Sequence, residues 1–446
     1  MALSGIQIYK LLPQTNCKEC GFPTCLAFAM KLAAKQVELT ACPYVSESSK
    51  AQLAESAAPP IRLVTLKANG HEVKAGNEVV LFRHDKTFYN KPGLFIRVYD
   101  DMPLDELKAK VKAADAYAVN YVGMDLTLDG FCVASRAGNP QAFAGAVAAV
   151  RSVSTRPLIL ASRDPGIMTA GLDVLKDEIP LIYGADATNL DAFAGLAKQY
   201  KAPLAVLAPD LDGLADLTEK LKASGVEDLV LDPGGRDLGS GLALETKIRR
   251  LAVKKNFRAL GFPVIAFPGD AAEPGLEAVA ATQALSKYAG FIVLDTFSPA
   301  MAYPLLVLRQ NIYTDPQKPI QVQPGIYEIN GPKPTDPVLV TTNFSITYFS
   351  VANEVEGSGL PAWLLVTDAE GMSVLTAWAA GKFDAERIAK AVKAFNIAEK
   401  VSRKRIVLPG HVAVLSGELE AELPDWEIRV GPREAVDLPG FMKNAL

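Results

Sequence analysis

Short apolar runs recur along the middle of this 446-residue chain at a nearly regular interval, and that interval decides what the chain can become. The runs are Leu94–Tyr99, Tyr117–Val122, Phe131–Ala134, Leu158–Ala161, Leu181–Tyr183, Leu204–Leu207, Leu229–Leu231, Val264–Phe267 and Phe291–Leu294. Amphipathic stretches such as Pro140–Val153, Leu190–Tyr200 and Leu211–Ser224 separate most of them. From Phe131 onward the runs start 23 to 35 residues apart, the length of one βα unit. Strands that are apolar throughout and joined by helical crossovers form a parallel sheet buried on both faces. Eight such units close into a (β/α)8 or TIM barrel. Nine candidates are one too many, so one of the close neighbours near 117 and 131 is expected to stand outside the barrel. An open doubly wound sheet is the alternative.

The flanks read differently. Glu55-Ser-Ala-Ala-Pro-Pro60 has the composition of a linker, as does Asp315–Pro337 with six prolines and two glycines. Between the first linker and the barrel, Ile61–Leu66 and Glu72–Phe82 read as a β-hairpin turning near Lys74–Asn77. These breaks predict three domains, over 1–58, 59–320 and 321–446. The last reads as a small Rossmann-like α/β domain, with strands at Val338–Thr342, Trp363–Thr367, Arg405–Leu408, Val412–Leu415 and Glu427–Val430. Its helices are expected over Ser345–Val355, Met372–Ala380 and Ala385–Phe395.

Four of the five cysteines, Cys17, Cys20, Cys25 and Cys42, crowd into the first domain ahead of and behind an expected helix, Leu26–Leu39. Such clustering in a long chain without a secretion signal points to metal rather than disulfides. The spacing C-x2-C-x4-C-x16-C, with Pro43 after the last cysteine, suits an iron–sulfur cluster better than zinc, which favours two C-x2-C knuckles. Structural zinc and unligated thiols are the alternatives. Cys132 lies in an apolar run and reads as a core residue.

The run NCKECGFPTCLAFAMKLA followed by ACPY resembles the N-terminal module of the corrinoid iron–sulfur protein large (gamma) subunit of acetyl-CoA decarbonylase/synthase systems. Further landmarks of that family follow in order: FRHDKTFYN (82–90), VLDPGGR (230–236), RQNIYTDPQKPI (309–320), VTTNFSITYFSV (340–351), EGMSVLTAW (370–378) and VGPREA (430–435). The resemblance implies a [4Fe–4S] domain, a TIM barrel and a C-terminal corrinoid-binding domain. It implies a methyl carrier of the reductive acetyl-CoA (Wood–Ljungdahl) route of carbon fixation, a corrinoid-dependent methyltransferase component acting with partner enzymes. In that role cob(I)amide accepts the methyl of methyltetrahydrofolate from a methyltransferase. Methyl-Co(III) delivers it to the nickel centre of acetyl-CoA synthase/CO dehydrogenase, and the cluster rescues Co(II). A heterodimer with the small corrinoid iron–sulfur subunit is also implied.

A corrinoid needs a ledge at the carboxyl ends of parallel strands, with polar loops for its amide arms. Three strand ends of the last domain offer them: Thr341, Thr342 and Thr347; Glu370, Gly371, Met372 and Ser373; and Gly431, Pro432 and Arg433. Read without the resemblance, these are also ordinary caps and turns. The D-x-H-x-x-G signature of histidine-ligated cobalamin is missing, and none of His71, His84 and His411 has that context; His411 reads as a loop or edge residue. This agrees with the base-off, His-off corrinoid of the family. Two other readings compete: a barrel that itself binds a pterin through the Asp232-Pro-Gly-Gly235 loop, with an accessory iron–sulfur domain, and a plain electron-transfer protein.

With 46 basic against 50 acidic residues and no basic arm, nucleic acid is not an expected partner. No apolar run reaches the roughly 18 residues of a membrane span, and the amino-terminal residues lack the pattern of a secretion signal. A soluble, cytoplasmic protein is expected.

Overall fold

A computed structural model describes residues 4–34, 36–50, 53, 58–121, 124–271, 273–314 and 320–446. They fall into two compact units, 1–117 with 127–313 and 118–126 with 314–446. The first linker lies outside the described residues at 55–57, and the second at 315–319. Among the described residues no helix is long and apolar enough to cross a membrane.

The first unit begins with a helical module. Helix Gly5–Leu11 is held by a capping box, in which Ser4 and Gln7 each satisfy the other's backbone. Helix Cys25–Ala33 starts on Thr24, whose hydroxyl accepts from Ala27 N. It ends at Ala33, not at Leu39; the chain then turns through a short 3-10 segment, Leu39–Ala41. That early stop returns Cys42 to the small apolar core that holds Cys25, Phe28, Ile8 and Leu12.

Strands β1 (Val64–Ala68) and β2 (His71–Ala75) pair as an antiparallel hairpin. The turn is Asn69–Gly70 rather than 74–77. Both residues have positive φ, 47° and 85°, as a two-residue hairpin of the right twist requires. Its inward side chains, Val64, Leu66, Val73 and Ala75, join Phe95, Cys132, Ile159 and Phe291 in one core. The hairpin thus fills one end of the barrel that follows.

That barrel is closed and parallel. Its strands are β3 (Gly93–Tyr99), β6 (Gly130–Ala134), β7 (Leu158–Ala161), β8 (Leu181–Ala185), β9 (Leu204–Leu207), β10 (Leu229–Asp232), β11 (Val264–Ala266) and β12 (Ala289–Leu294), with β12 pairing back onto β3. The ninth candidate, near 117, is β4 (Ala118–Tyr121), which makes a separate hairpin with β5 (Met124–Thr127). Alternation of exposed and half-buried positions in β4 suits an outlying hairpin, not a barrel strand. Residues 118–126 belong to the second unit, where Tyr121 and Met124 pack against its core.

The second unit holds a five-stranded sheet in the order β13-β15-β14-β16-β17: β13 (Gly325–Ile329), β14 (Val338–Thr342), β15 (Ala362–Thr367), β16 (Arg405–Leu408) and β17 (Glu427–Val430). All pairs are parallel except β13 on β15. Strand β13 lies inside what the composition marks as linker; an antiparallel edge position is where a Pro- and Gly-flanked strand is tolerated. Val412–Leu415 is not a strand. Gly410–Leu415 is 3-10 helix, with Val412 and Leu415 buried three residues apart, the spacing of a helical face rather than of a pleat.

Candidate functional site

The four clustered cysteines are all free thiols. Cys25 opens its helix, Cys42 closes the 3-10 turn, and Cys17 and Cys20 lie in the loop between the two helices. Cys25 and Cys42 are buried, Cys20 is half-buried against the same apolar core, and Cys17 is exposed. Phe22 and Phe28 stand 5.7 Å apart beside them. Asn16, held at φ 50°, ties the loop to the helix: its Oδ1 accepts from Cys25 N at 2.8 Å, and its own N–H points to Cys25 Sγ at 3.4 Å. Such N–H donors stabilise thiolate sulfur bound to a metal. Among the described residues no three ligand side chains converge on one point. The fit to a cluster therefore rests on the donor set and its apolar, amide-lined surroundings.

The second candidate is a cleft of about 330 Å³ in the C-terminal sheet, at the carboxyl ends of β14, β16 and β17. Six of the ten residues expected at a corrinoid rim line it: Thr341, Thr347, Ser373, Gly431, Pro432 and Arg433. Parallel pairing of β14, β15, β16 and β17 brings these loops to one edge although they lie up to 92 residues apart, from 341 to 433. Gly410 packs so closely on Gly431 that a Cβ there would stand 2.5 Å from its carbonyl oxygen, which fixes the two neighbouring loops together. Thr342, Glu370, Gly371 and Met372 do not line the cleft. Thr342 is buried and alternates to the other sheet face from Thr341, and Met372 packs on the apolar core. Glu370 and Gly371 form a left-handed pair, at φ 54° and 74°, and Glu370 is tethered by Lys382 at 2.6 Å.

Two features mark the cleft as a candidate ligand site. The hydroxyl of Thr341, which lines the cleft, is buried with no hydrogen-bond partner. A native fold rarely leaves such groups unpaired unless something else meets them. Apolar side chains line the opening as well: Ile346 and Leu375 are exposed there. His411, read from sequence as a loop or edge residue, lines the cleft, with Nε2 3.6 Å from Glu434.

The barrel's carboxyl end carries a polar network of which sequence reasoning singled out only the Asp232–Gly235 loop. Asp232, fully buried, accepts from Tyr183 Oη at 2.7 Å, from Gly234 N at 2.9 Å and from both terminal nitrogens of Arg236. Asp270 bridges Arg236 at 3.0 Å and Arg97 at 2.7 Å, and Arg97 also pairs with Asp295. Phe267 lies 5.8 Å from the Arg97 guanidinium and 5.0 Å from that of Arg236. Burial, then the bond to Asp295, pushes the Tyr99 hydroxyl up to about 12. These polar groups at the barrel's carboxyl end are thus committed to one another. Arg97 and Asp270 are 173 residues apart, so no local motif could have announced them.

The family model for the CO dehydrogenase/acetyl-CoA synthase delta subunit matches residues 63–442, and an Fe–S cluster family model matches residues 12–44. The chain is 46% identical over 446 residues to the corrinoid/iron–sulfur protein large subunit of Moorella thermoacetica, covering 100% of both chains. It is 36% identical over 455 residues to the acetyl-CoA decarbonylase/synthase complex subunit gamma of Methanopyrus kandleri, covering 99% of this chain and 98% of that one. A dihydropteroate synthase structure from Thermus thermophilus covers 56% of this chain and 100% of its own, with 16% identity and a TM-score of 0.39. Nothing functional follows from a likeness at that level.

Proposed function

The chain belongs to the family of the corrinoid/iron–sulfur protein large subunit and the acetyl-CoA decarbonylase/synthase gamma subunits, and on that footing we propose that it is a methyl carrier holding a cobalt corrinoid and an iron–sulfur cluster. The observation that carries this reading is the C-terminal cleft, where Thr341 brings a buried, unpartnered hydroxyl to a lining of polar strand-end loops.

Thr341, Thr347 and Ser373 supply hydroxyls for the amide arms of a corrinoid, and the Gly431–Pro432 turn lets the macrocycle approach the backbone. Arg433, exposed at the rim, offers a cation to the phosphate of the nucleotide tail. The 368–373 loop borders the same ledge. Bound there, a corrinoid supplies a nucleophilic cobalt for taking up and handing on a methyl group, and a [4Fe–4S] cluster supplies the single electrons that keep it active. Cys17, Cys20, Cys25 and Cys42 are the cluster ligands in this reading. The domain limits 1–58, 59–320 and 321–446 then correspond to cluster, barrel and corrinoid domains, with the 118–126 hairpin added to the last.

The corrinoid is taken as base-off, with no imidazole on the metal, because a strong lower donor would oppose reduction of cobalt. His411 lies on the cleft lining and leans toward Glu434 instead. The partners in this reading are a small subunit, a methyltetrahydrofolate methyltransferase and acetyl-CoA synthase.

The test is anaerobic reconstitution with iron, sulfide and hydroxocobalamin, followed by metal analysis, visible spectra and, after reduction of the cobalt to Co(I) with a low-potential chemical reductant, transfer of a labelled methyl group. Iron and cobalt bound together, with label passing onto the chain only when the methyltransferase is added, is the expected result. Iron without cobalt would leave the electron-transfer reading in its place. EPR of the cobalt(II) form should show no three-line nitrogen splitting; splitting lost in His411→Ala would place that imidazole on cobalt.

A further inference from the structure

Asn343 stands just past the end of β14 and is 1% exposed, yet its side-chain amide is saturated. Its Oδ1 accepts from Ala369 N at 2.9 Å and from Gly371 N at 3.0 Å. Its Nδ2 lies 3.2 Å from Gln321 Oε1 and 3.2 Å from Asp368 Oδ1. An amide has two acceptor lone pairs and two N–H donors, so all four are used. Three separate stretches of chain meet on this one residue: the end of β14, the 368–373 loop after β15, and the segment 320–322.

The loop needs such a hold. Glu370 and Gly371 are both left-handed, a conformation a non-glycine residue adopts at a cost. Gln321 closes over Gly371 so tightly that a Cβ there would stand 2.7 Å from its Cγ. Segment 320–322 is itself strapped onto the β14 end: Val322 N donates to Asn343 O at 2.9 Å, and Gln321 pairs with Phe344. The loop runs directly into Ser373, Val374 and Leu375, which line the cleft.

From these contacts we infer that Asn343 is a positioning residue for the cofactor: it does not line the cleft itself, but fixes the 368–372 loop that sets where Ser373, Val374 and Leu375 stand on the cleft lining. The inference rests on the corrinoid reading of the cleft. Asn343→Asp keeps the acceptor for the two loop amides but sets a carboxylate against Asp368. Adding Asp368→Asn removes the facing charge while its amide oxygen still accepts from Glu370 N, as Asp368 Oδ1 does at 3.0 Å, without restoring the native residue at either position.

The experiment uses the full chain. Amide hydrogen exchange at Ala369 and Gly371 is measured without corrinoid in the parent and in Asn343→Ala, and hydroxocobalamin affinity is titrated by visible absorbance in the parent, Asn343→Asp and Asn343→Asp/Asp368→Asn. Exchange at both amides should rise in Asn343→Ala. Asn343→Asp should bind hydroxocobalamin about tenfold or more weakly, the scale of an unmatched buried polar group, and the double variant should recover most of that loss. Unchanged exchange, unchanged affinity in Asn343→Asp, or a double variant no better than the single one would each overturn the inference. Should Asn343→Ala not fold, the rescue arm decides alone. A parent that fails to bind hydroxocobalamin would overturn the corrinoid reading itself; a parent that binds, with variants that bind equally well, would overturn only the role of Asn343.

Discussion

Arg236 grips Asp232 with both terminal guanidinium nitrogens, at 2.9 and 2.7 Å, and the carboxylate so held is fully buried at the end of β10. One turn of chain separates the partners, and Pro233–Gly235 makes the bend that lets them meet. Burial is the largest influence on the Arg236 pKa and lowers it, but the bonds donated to Asp232 together with the Asp232 and Asp270 charges make the net shift upward. Removing one partner of such a pair strands the other's charge. Arg236→Leu should therefore cost roughly 3 kcal/mol, the low end for a buried pair because Arg236 itself is partly exposed. Asp232→Asn/Arg236→Leu should regain much of that. Urea unfolding of the four chains measures the cycle, and strictly additive losses would show that the pair is not coupled.

The Thr341 hydroxyl should have opposite effects on the empty and loaded chain. Thr341→Val keeps the shape and removes a buried group that has no partner. The chain without corrinoid should be as stable as the parent or up to about 1 kcal/mol more so. Hydroxocobalamin should bind roughly fivefold more weakly if that hydroxyl meets the cofactor, about 1 kcal/mol of lost hydrogen bonding. Paired thermal melts and titrations check both signs.

Cys20→Ala should abolish or convert the cluster while hydroxocobalamin binding is kept, because the thiols and the cleft belong to different cores. Iron analysis and low-temperature EPR read the first, visible titration the second. A fully retained four-iron spectrum would remove Cys20 from the ligand set.

Glu245 gives the barrel a pH dependence. It is 4% exposed, Oε2 has no partner, and burial holds its carboxyl well above the ordinary range. A carboxyl with a raised folded-state pKa stabilises the fold below the unfolded value, and that contribution is lost as pH rises through the elevated one. Glu78, raised by burial against the pull of Arg249, adds to the same slope. Glu245→Gln should flatten it, gaining on the order of 1–3 kcal/mol over the parent at neutral pH and above, and little at pH 4. Melting midpoints across pH 4–9 test this; parallel curves would show that Glu245 ionises freely.

The eight barrel strands were readable because each is apolar throughout and recurs at one spacing, a signal carried by neighbours in sequence. Four cysteines in one segment were readable for the same reason. The turn at Asn69–Gly70 was also written locally, in the Asn-Gly pair, but was outweighed by the small residues at 75–77. Strand β13 was hidden by the prolines around it, since composition marks flexibility while pairing is decided by the partner, Ala362–Val366. The polar groups that matter most were the least legible. Asn343 serves the 368–373 loop, His411 reaches the cleft from a 3-10 helix, and Arg97 finds Asp270 across the barrel. Each is an ordinary residue in sequence whose role comes from a distant neighbour.

A barrel stoppered at its base by the β1–β2 hairpin and at its other end by crossed ion pairs has little empty space left to surrender. Hydrostatic pressure denatures proteins by eliminating such internal voids, so the volume change on unfolding scales with them. The C-terminal unit, whose buried Thr341 and Thr342 hydroxyls find no partner inside it, should be the more compressible of the two when nothing is bound. Raising pressure on the corrinoid-free chain should accordingly unfold the cleft-bearing sheet first and leave the barrel as the last folded body, a sequence of events that heating need not reproduce.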